Sequence, residues 1–207
     1  FESLLYADRH TREVVGMVLV DPAVPGQTAL MQRVAPATAA SSESYTNGLI
    51  ALIRQCVARL RDPSDAAPRP DCDIPYPATY PPELVRLLKA QNAQPANGEA
   101  VASFYENEDL SSRQAVNPKR DYGDIPLIVL TATDAPPPRP GTSAEIIAEA
   151  QPYLDAFSRE HDALAALSTR GVNARVPGTT HYIHQLKPQV VIDTVNQVIA
   201  EARAARR

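Results

Sequence analysis

Two apolar runs constrain this chain of 207 residues more than any other feature. The first, Val14-Val-Gly-Met-Val-Leu-Val, is almost unbroken and ends in Asp21-Pro22. The second, Ile125-Pro-Leu-Ile-Val-Leu-Thr-Ala-Thr, is rich in β-branched residues and leads directly into Asp134. A strand with one wet face alternates apolar and polar residues. A strand that is apolar throughout is covered on both faces, as in a parallel sheet flanked by helices.

The segments around these runs read as helices. Leu49, Ile50, Leu52, Ile53, Val57 and Leu60 make one helical face, a second helix starts at Pro82, and a third covers roughly residues 99–108. No strand-like run interrupts them. After the second strand a proline loop precedes a helix expected over residues 143–167. Its packed face is read as Ile146, Ile147, Ala150, Tyr153, Leu154, Phe157, Leu164 and Leu167, with Gly171 as the stop. Residues 172–176 read as a short strand, and Gly178-Thr-Thr-His181 as a loop. Val191, Ile192, Val195, Val198 and Ile199 recur at helical spacing after Pro188. Phe1-Glu-Ser-Leu-Leu-Tyr reads as the later turns of a helix with Leu4, Leu5 and Tyr6 as its candidate inward residues, so the chain is expected to start within a fold. Alternating strands and helices of this kind imply α/β architecture with a parallel sheet.

Composition excludes several function classes. The net charge of −4 and pI near 5.6 give no electrostatic footprint for nucleic acid. No apolar run reaches the about 18 residues that a membrane span needs, and the N-terminus has no signal-peptide pattern. Twenty prolines against eight glycines cluster at residues 63–82 and 136–140, which marks those stretches as loops or lid segments.

Parallel strands present functional groups at their carboxyl ends, and Asp21 and Asp134 both stand there. Asp21 could equally cap the segment that follows it. His181, on a loop between a strand and a helix, is placed to face a cleft as a general base. His184 is its rival, while His161 and His10 lie in helices and read as surface or packing residues.

These segments resemble the C-terminal half of an α/β-hydrolase. "VVGMVLVDPAVP" is similar to the sixth strand of that fold, "DIPLIVLTAT" to the seventh, and "HDALAALSTRG" to the helix before the last strand. "GTTHYIHQLKPQVVIDTVNQVI" resembles the histidine loop with the final helix, and "FESLLYADRH" the helix that begins at the nucleophile elbow. The resemblance is closest to capped members. It implies hydrolase core at residues 1–24, a helical cap over 25–118 and core again over 119–207. It places Gly-x-Ser-x-Gly shortly before Phe1, and no such motif occurs within these residues.

The implied chemistry is that of a Ser-acid-His triad, in which the histidine takes the serine proton and a carboxylate fixes the imidazole. His181 matches the base. Asp134 matches the commonest acid position of the fold, with Asp21 close behind at the position a minority use. The expected activity is hydrolysis of a small carboxylic ester or lactone, the cap shaping an apolar substrate pocket and no cofactor or metal taking part. An aspartate-nucleophile dehalogenase or epoxide-hydrolase relative, or a non-catalytic binding protein, is the alternative. Association through an exposed sheet edge is a further expectation. Cys56 and Cys72, with fifteen residues between them, are either a disulfide in the cap, which would imply export, or two unrelated buried thiols.

Overall fold

The computed structural model describes residues 1–62, 64, 70–73 and 75–205. Part of the proline-rich stretch 63–82, expected as a loop, lies outside the described residues. The chain divides into two compact units, Phe1–Ala39 with Leu110–Arg207, and Ala40–Asp109.

The first unit is mixed α/β. Helix α1 (Glu2–Arg9) precedes strand β1 (Met17–Val20), and α2 (Gln27–Val34) follows it. Helix α3 (Pro36–Arg61) begins in this unit and runs into the second; α6 (Glu108–Gln114) leads back. Then come β2 (Leu127–Ala132), α7 (Ala144–Ala165), β3 (Gly171–Val176), the single turn α8 (Ile183–Leu186) and α9 (Pro188–Ala204). The three strands form one parallel sheet in the order β1-β2-β3. Val20 pairs with Leu130, and Ala132 with Val176.

The central strand explains its own composition. All six residues of β2 are buried. Leu127 and Val129 point into a core with Leu4 and Ala7 of α1 and Leu164 and Ala165 of α7. Ile128, Leu130 and Ala132 point the other way, into a core with Ile183 of α8 and Val198 of α9. Covering both faces removes any position for a polar residue except one that finds a partner, and Thr131 is that one.

Two helices bury only part of the faces their apolar residues suggest: Leu164 of α7 and Val198 of α9 are buried as expected, and Phe157 and Leu167 pack against the first core. In α7 the buried residues are Ala156, His161, Leu164 and Ala165, while Ile147 is 49% exposed. The α7 N-terminus is capped by Ser143, which accepts from the Ile146 amide. In α9 the buried residues are Thr194, Val198 and Ala202; Ile192, Val195 and Ile199 form an exposed stripe. In this unit two glycines mark close approaches. A Cβ on Gly16 would stand 2.6 Å from Val198 Cγ1, and one on Gly171 would overlap the Ala165 carbonyl oxygen. Gly171 is therefore the first residue of β3, and α7 has already ended at Ala165.

The second unit is helical among its described residues: the rest of α3, α4 (Pro82–Asn92) and α5 (Pro95–Glu106). Cys56 and Cys72 are bonded, with their Cα atoms 5.6 Å apart, so the two thiols are one cross-link. Arg54 makes a bidentate pair with Glu106 at 2.6 and 3.0 Å, and Arg61 pairs with Glu99. A cavity of about 1070 Å3 opens in this unit, lined by Leu52, Ile53, Leu60, Tyr76, Val85 and Tyr105 among others. Among the described residues no helix is long and apolar enough to cross a membrane.

Candidate functional site: the carboxyl end of the sheet

Asp21 directly follows the last residue of β1 and continues the ladder, its amide donating to the Leu130 carbonyl at 2.7 Å. Its backbone then turns sharply, with φ of 44° in the left-handed region. Outside glycine that conformation is uncommon, aspartate being among the residues that enter it most readily, and a residue preceding a proline is biased towards extended backbone. Such a residue persists only where its surroundings over-determine it. Here Oδ1 accepts from the Ala132 amide at 3.0 Å, and Oδ2 accepts from His181 Nδ1 at 2.8 Å. The carboxylate is thereby sunk at the end of the sheet, with its side chain 8% exposed.

His181 reaches Asp21 from the far side of β2. Val176 ends β3, Gly178 takes a positive φ of 69°, and the Thr179 hydroxyl, fully buried, donates back to the Val176 carbonyl at 2.6 Å. That turn aims the next residues across the end of the sheet. The His181 side chain is 65% exposed, and its Nε2 has no hydrogen-bond partner among the described residues. The bond from Nδ1 to the Asp21 carboxylate raises the His181 pKa above the ordinary imidazole value, with burial opposing in part. Nδ1 is thus the protonated nitrogen of the neutral ring, and Nε2 is left as the proton acceptor.

Asp134 has a different engagement. It lies two residues beyond the end of β2, and is exposed. Its amide donates to the Thr179 carbonyl at 3.0 Å, and its Oδ1 accepts from the Gly178 amide at 3.3 Å and from Thr133 Oγ1 at 2.6 Å. The structure therefore brings His181 together with Asp21, while Asp134 holds the backbone of the loop that carries His181. His184 is exposed on α8, where its ring meets Tyr182 edge-on at 6.1 Å.

One residue at this end of the sheet drew no functional reading from the sequence. His161 is fully buried on α7. Its Nε2 lies 2.9 Å from the Pro22 carbonyl and its Nδ1 2.7 Å from Thr131 Oγ1. A carbonyl can only accept, so Nε2 carries a proton. Thr131 Oγ1 also stands 2.5 Å from Asn173 Oδ1, and Asn173 Nδ2 donates to Asp162 at 2.8 Å. Burial lowers the His161 pKa, with the bond to the Pro22 carbonyl opposing. The available signal was its position: four residues after Phe157 and four before Ala165, on the face of α7 that packs against the sheet.

Among the described residues no group of three or more His, Cys, Asp or Glu side chains converges as a metal site would require. No protein-family model matches the chain, and neither the curated proteins nor the solved structures offer a match.

Proposed function

We propose that His181 and Asp21 are the base and acid of a Ser-acid-His triad in an α/β-hydrolase-type enzyme, whose nucleophile is supplied by a segment preceding Phe1. The observation that carries this reading is the 2.8 Å bond between His181 Nδ1 and a buried carboxylate. A carboxylate so placed fixes the imidazole tautomer, steadies the ring and stabilises the imidazolium formed when Nε2 takes a proton. The base would remove the proton of a serine hydroxyl during attack on an acyl carbonyl, then return it to the leaving alcohol. Small carboxylic esters or lactones are the substrate class. The disulfide supports a place in an oxidising, extracytoplasmic compartment.

The test uses a chain extended to include the preceding residues. Turnover of a short-chain activated ester should be abolished by His181→Ala and reduced by several orders of magnitude by Asp21→Asn, with His184→Ala and Asp134→Asn retaining most activity. Turnover unchanged in His181→Ala would overturn the triad reading in favour of a non-catalytic fold relative. Loss in Asp134→Asn with Asp21→Asn active would move the acid to β2.

A further inference from the structure

The acid of the pair depends on a left-handed backbone conformation, φ 44°, that is uncommon outside glycine and is followed here by a proline, so its surroundings must hold it. Three of its restraints belong to the sheet and to His181: the Asp21 amide on Leu130, Oδ1 under the Ala132 amide, and Oδ2 on His181. None of these restrains the peptide that follows Asp21. That peptide's neighbour, the Pro22 carbonyl, is bonded instead to His161 Nε2 at 2.9 Å. His161 comes from α7, 139 residues further along the chain. Its other nitrogen is seated on Thr131 of β2, and Thr131 is seated in turn against Asn173 of β3. Asn173 completes the chain of contacts through its amide to Asp162, which also takes Arg175. A buried polar side chain placed this way is costly unless every group is matched. Filling the space beneath Pro22 would need only an apolar residue.

We propose that His161 is a positioning residue for the acid of the proposed pair: by donating Nε2–H to the Pro22 carbonyl it fixes the left-handed turn at Asp21 that presents Oδ2 to His181. The role rests on Asp21 and His181 acting together as acid and base. Its test therefore reads the titration of the His181 ring rather than turnover, so that failure of the positioning role and failure of the hydrolase reading are separately visible.

The experiment is an NMR titration of the histidine rings in the present chain and two variants. In the wild-type protein the Nε2 nitrogen of His161 should show the shift of a protonated, slowly exchanging site; an unprotonated Nε2 would overturn the proposal without any variant. His161→Leu keeps much of the volume and removes the donor. Its His181 midpoint should drop from its elevated position towards the ordinary 6.5, because Asp21 no longer meets the ring in one geometry. His161→Gln, which retains an N–H donor, should restore the elevated midpoint. A folded His161→Leu protein whose His181 titrates as in the wild type overturns the proposal. So does a His161→Gln protein that titrates at the ordinary value, since His161 would then act only by its shape.

Discussion

His181 Nδ1 donates to Asp21 Oδ2 at 2.8 Å although 160 residues separate them in the chain. The carboxylate is buried and the imidazole largely open, so the buried partner sets the proton affinity of the exposed one. Asp21→Asn replaces a charge with a neutral acceptor, and the His181 midpoint should fall towards 6.5. Asp134→Asn should leave it in place, because that side chain meets the Gly178 amide and not the ring. An NMR titration of the His181 ring distinguishes the two. A shift in the Asp134 variant alone would reverse the pairing.

The same interaction fixes the sign of two pH dependences. His181 has its pKa raised in the folded state by Asp21. Its contribution to stability is therefore fully present below the unfolded value of about 6.5 and is lost as pH rises through the folded value. Solvent screening keeps that contribution small for a ring so exposed. Catalysis by the proposed triad would run the opposite way, since only the neutral ring accepts a proton: kcat/KM of the extended chain should rise with pH, with an inflection above 6.5. In Asp21→Asn the residual rate should inflect at lower pH. An inflection in the wild type at or below 6.5 would contradict the raised value.

Cys56 and Cys72 close a loop with a sequence separation of 16. In the chain-entropy account, cross-linking a loop of this length stabilises the folded state by about 3 kcal/mol. Cys56→Ser with Cys72→Ser should lower the unfolding free energy of the helical unit Ala40–Asp109 by about that amount. The sheet unit should change far less. Denaturant melts followed by hydrogen exchange would separate the two units, and alkylation without reductant should find no reactive thiol. Two alkylatable thiols would remove both the stabilisation and the argument for an oxidising compartment.

Local physics made parts of this arrangement legible in the sequence and left others hidden. Strand β2 was readable because burial on both faces leaves an apolar run that no exposed element tolerates, and β1, partly buried against both cores, carries a similar run. Both strand-end aspartates were readable for the same reason. Which of them meets His181 was not, because it depends on where the β3 loop travels: His181 passes the end of β2 and reaches the aspartate that follows β1. One local difference was available. Asp21 is the residue after Val20, whereas Asp134 lies two residues past Ala132 and has left the sheet. The faces of α7 and α9 were less legible. Apolar spacing pointed to Leu164 and Val198, which are buried, but also to Ile147 and Ile192, which are exposed, and it passed over Ala156, His161, Thr194 and Ala202, small or polar residues buried beside them. His161 needed the tertiary contacts with Pro22 and Thr131 to acquire a meaning.

The junction of α7 and β3 yields a paired prediction. Gly171 begins β3 directly beneath the end of α7, and a Cβ there would overlap the Ala165 carbonyl oxygen and stand 3.0 Å from that of Ser168. Both obstacles are backbone, so no side chain can rotate away and the turn must shift. Gly171→Ala should destabilise by about 1–3 kcal/mol, the usual range for forced overpacking. Its effect should propagate through β3 to the loop carrying His181. Gly48 is the control. It lies inside α3, where an added methyl would meet nothing within 4 Å and φ is not left-handed. Gly48→Ala should therefore stabilise by about 0.4–1 kcal/mol, through helix propensity and a less disordered unfolded chain. Thermal melts of the two variants should move in opposite directions. A Gly171→Ala protein that melts with the wild type would mean that β3 does not start against the end of α7 as described.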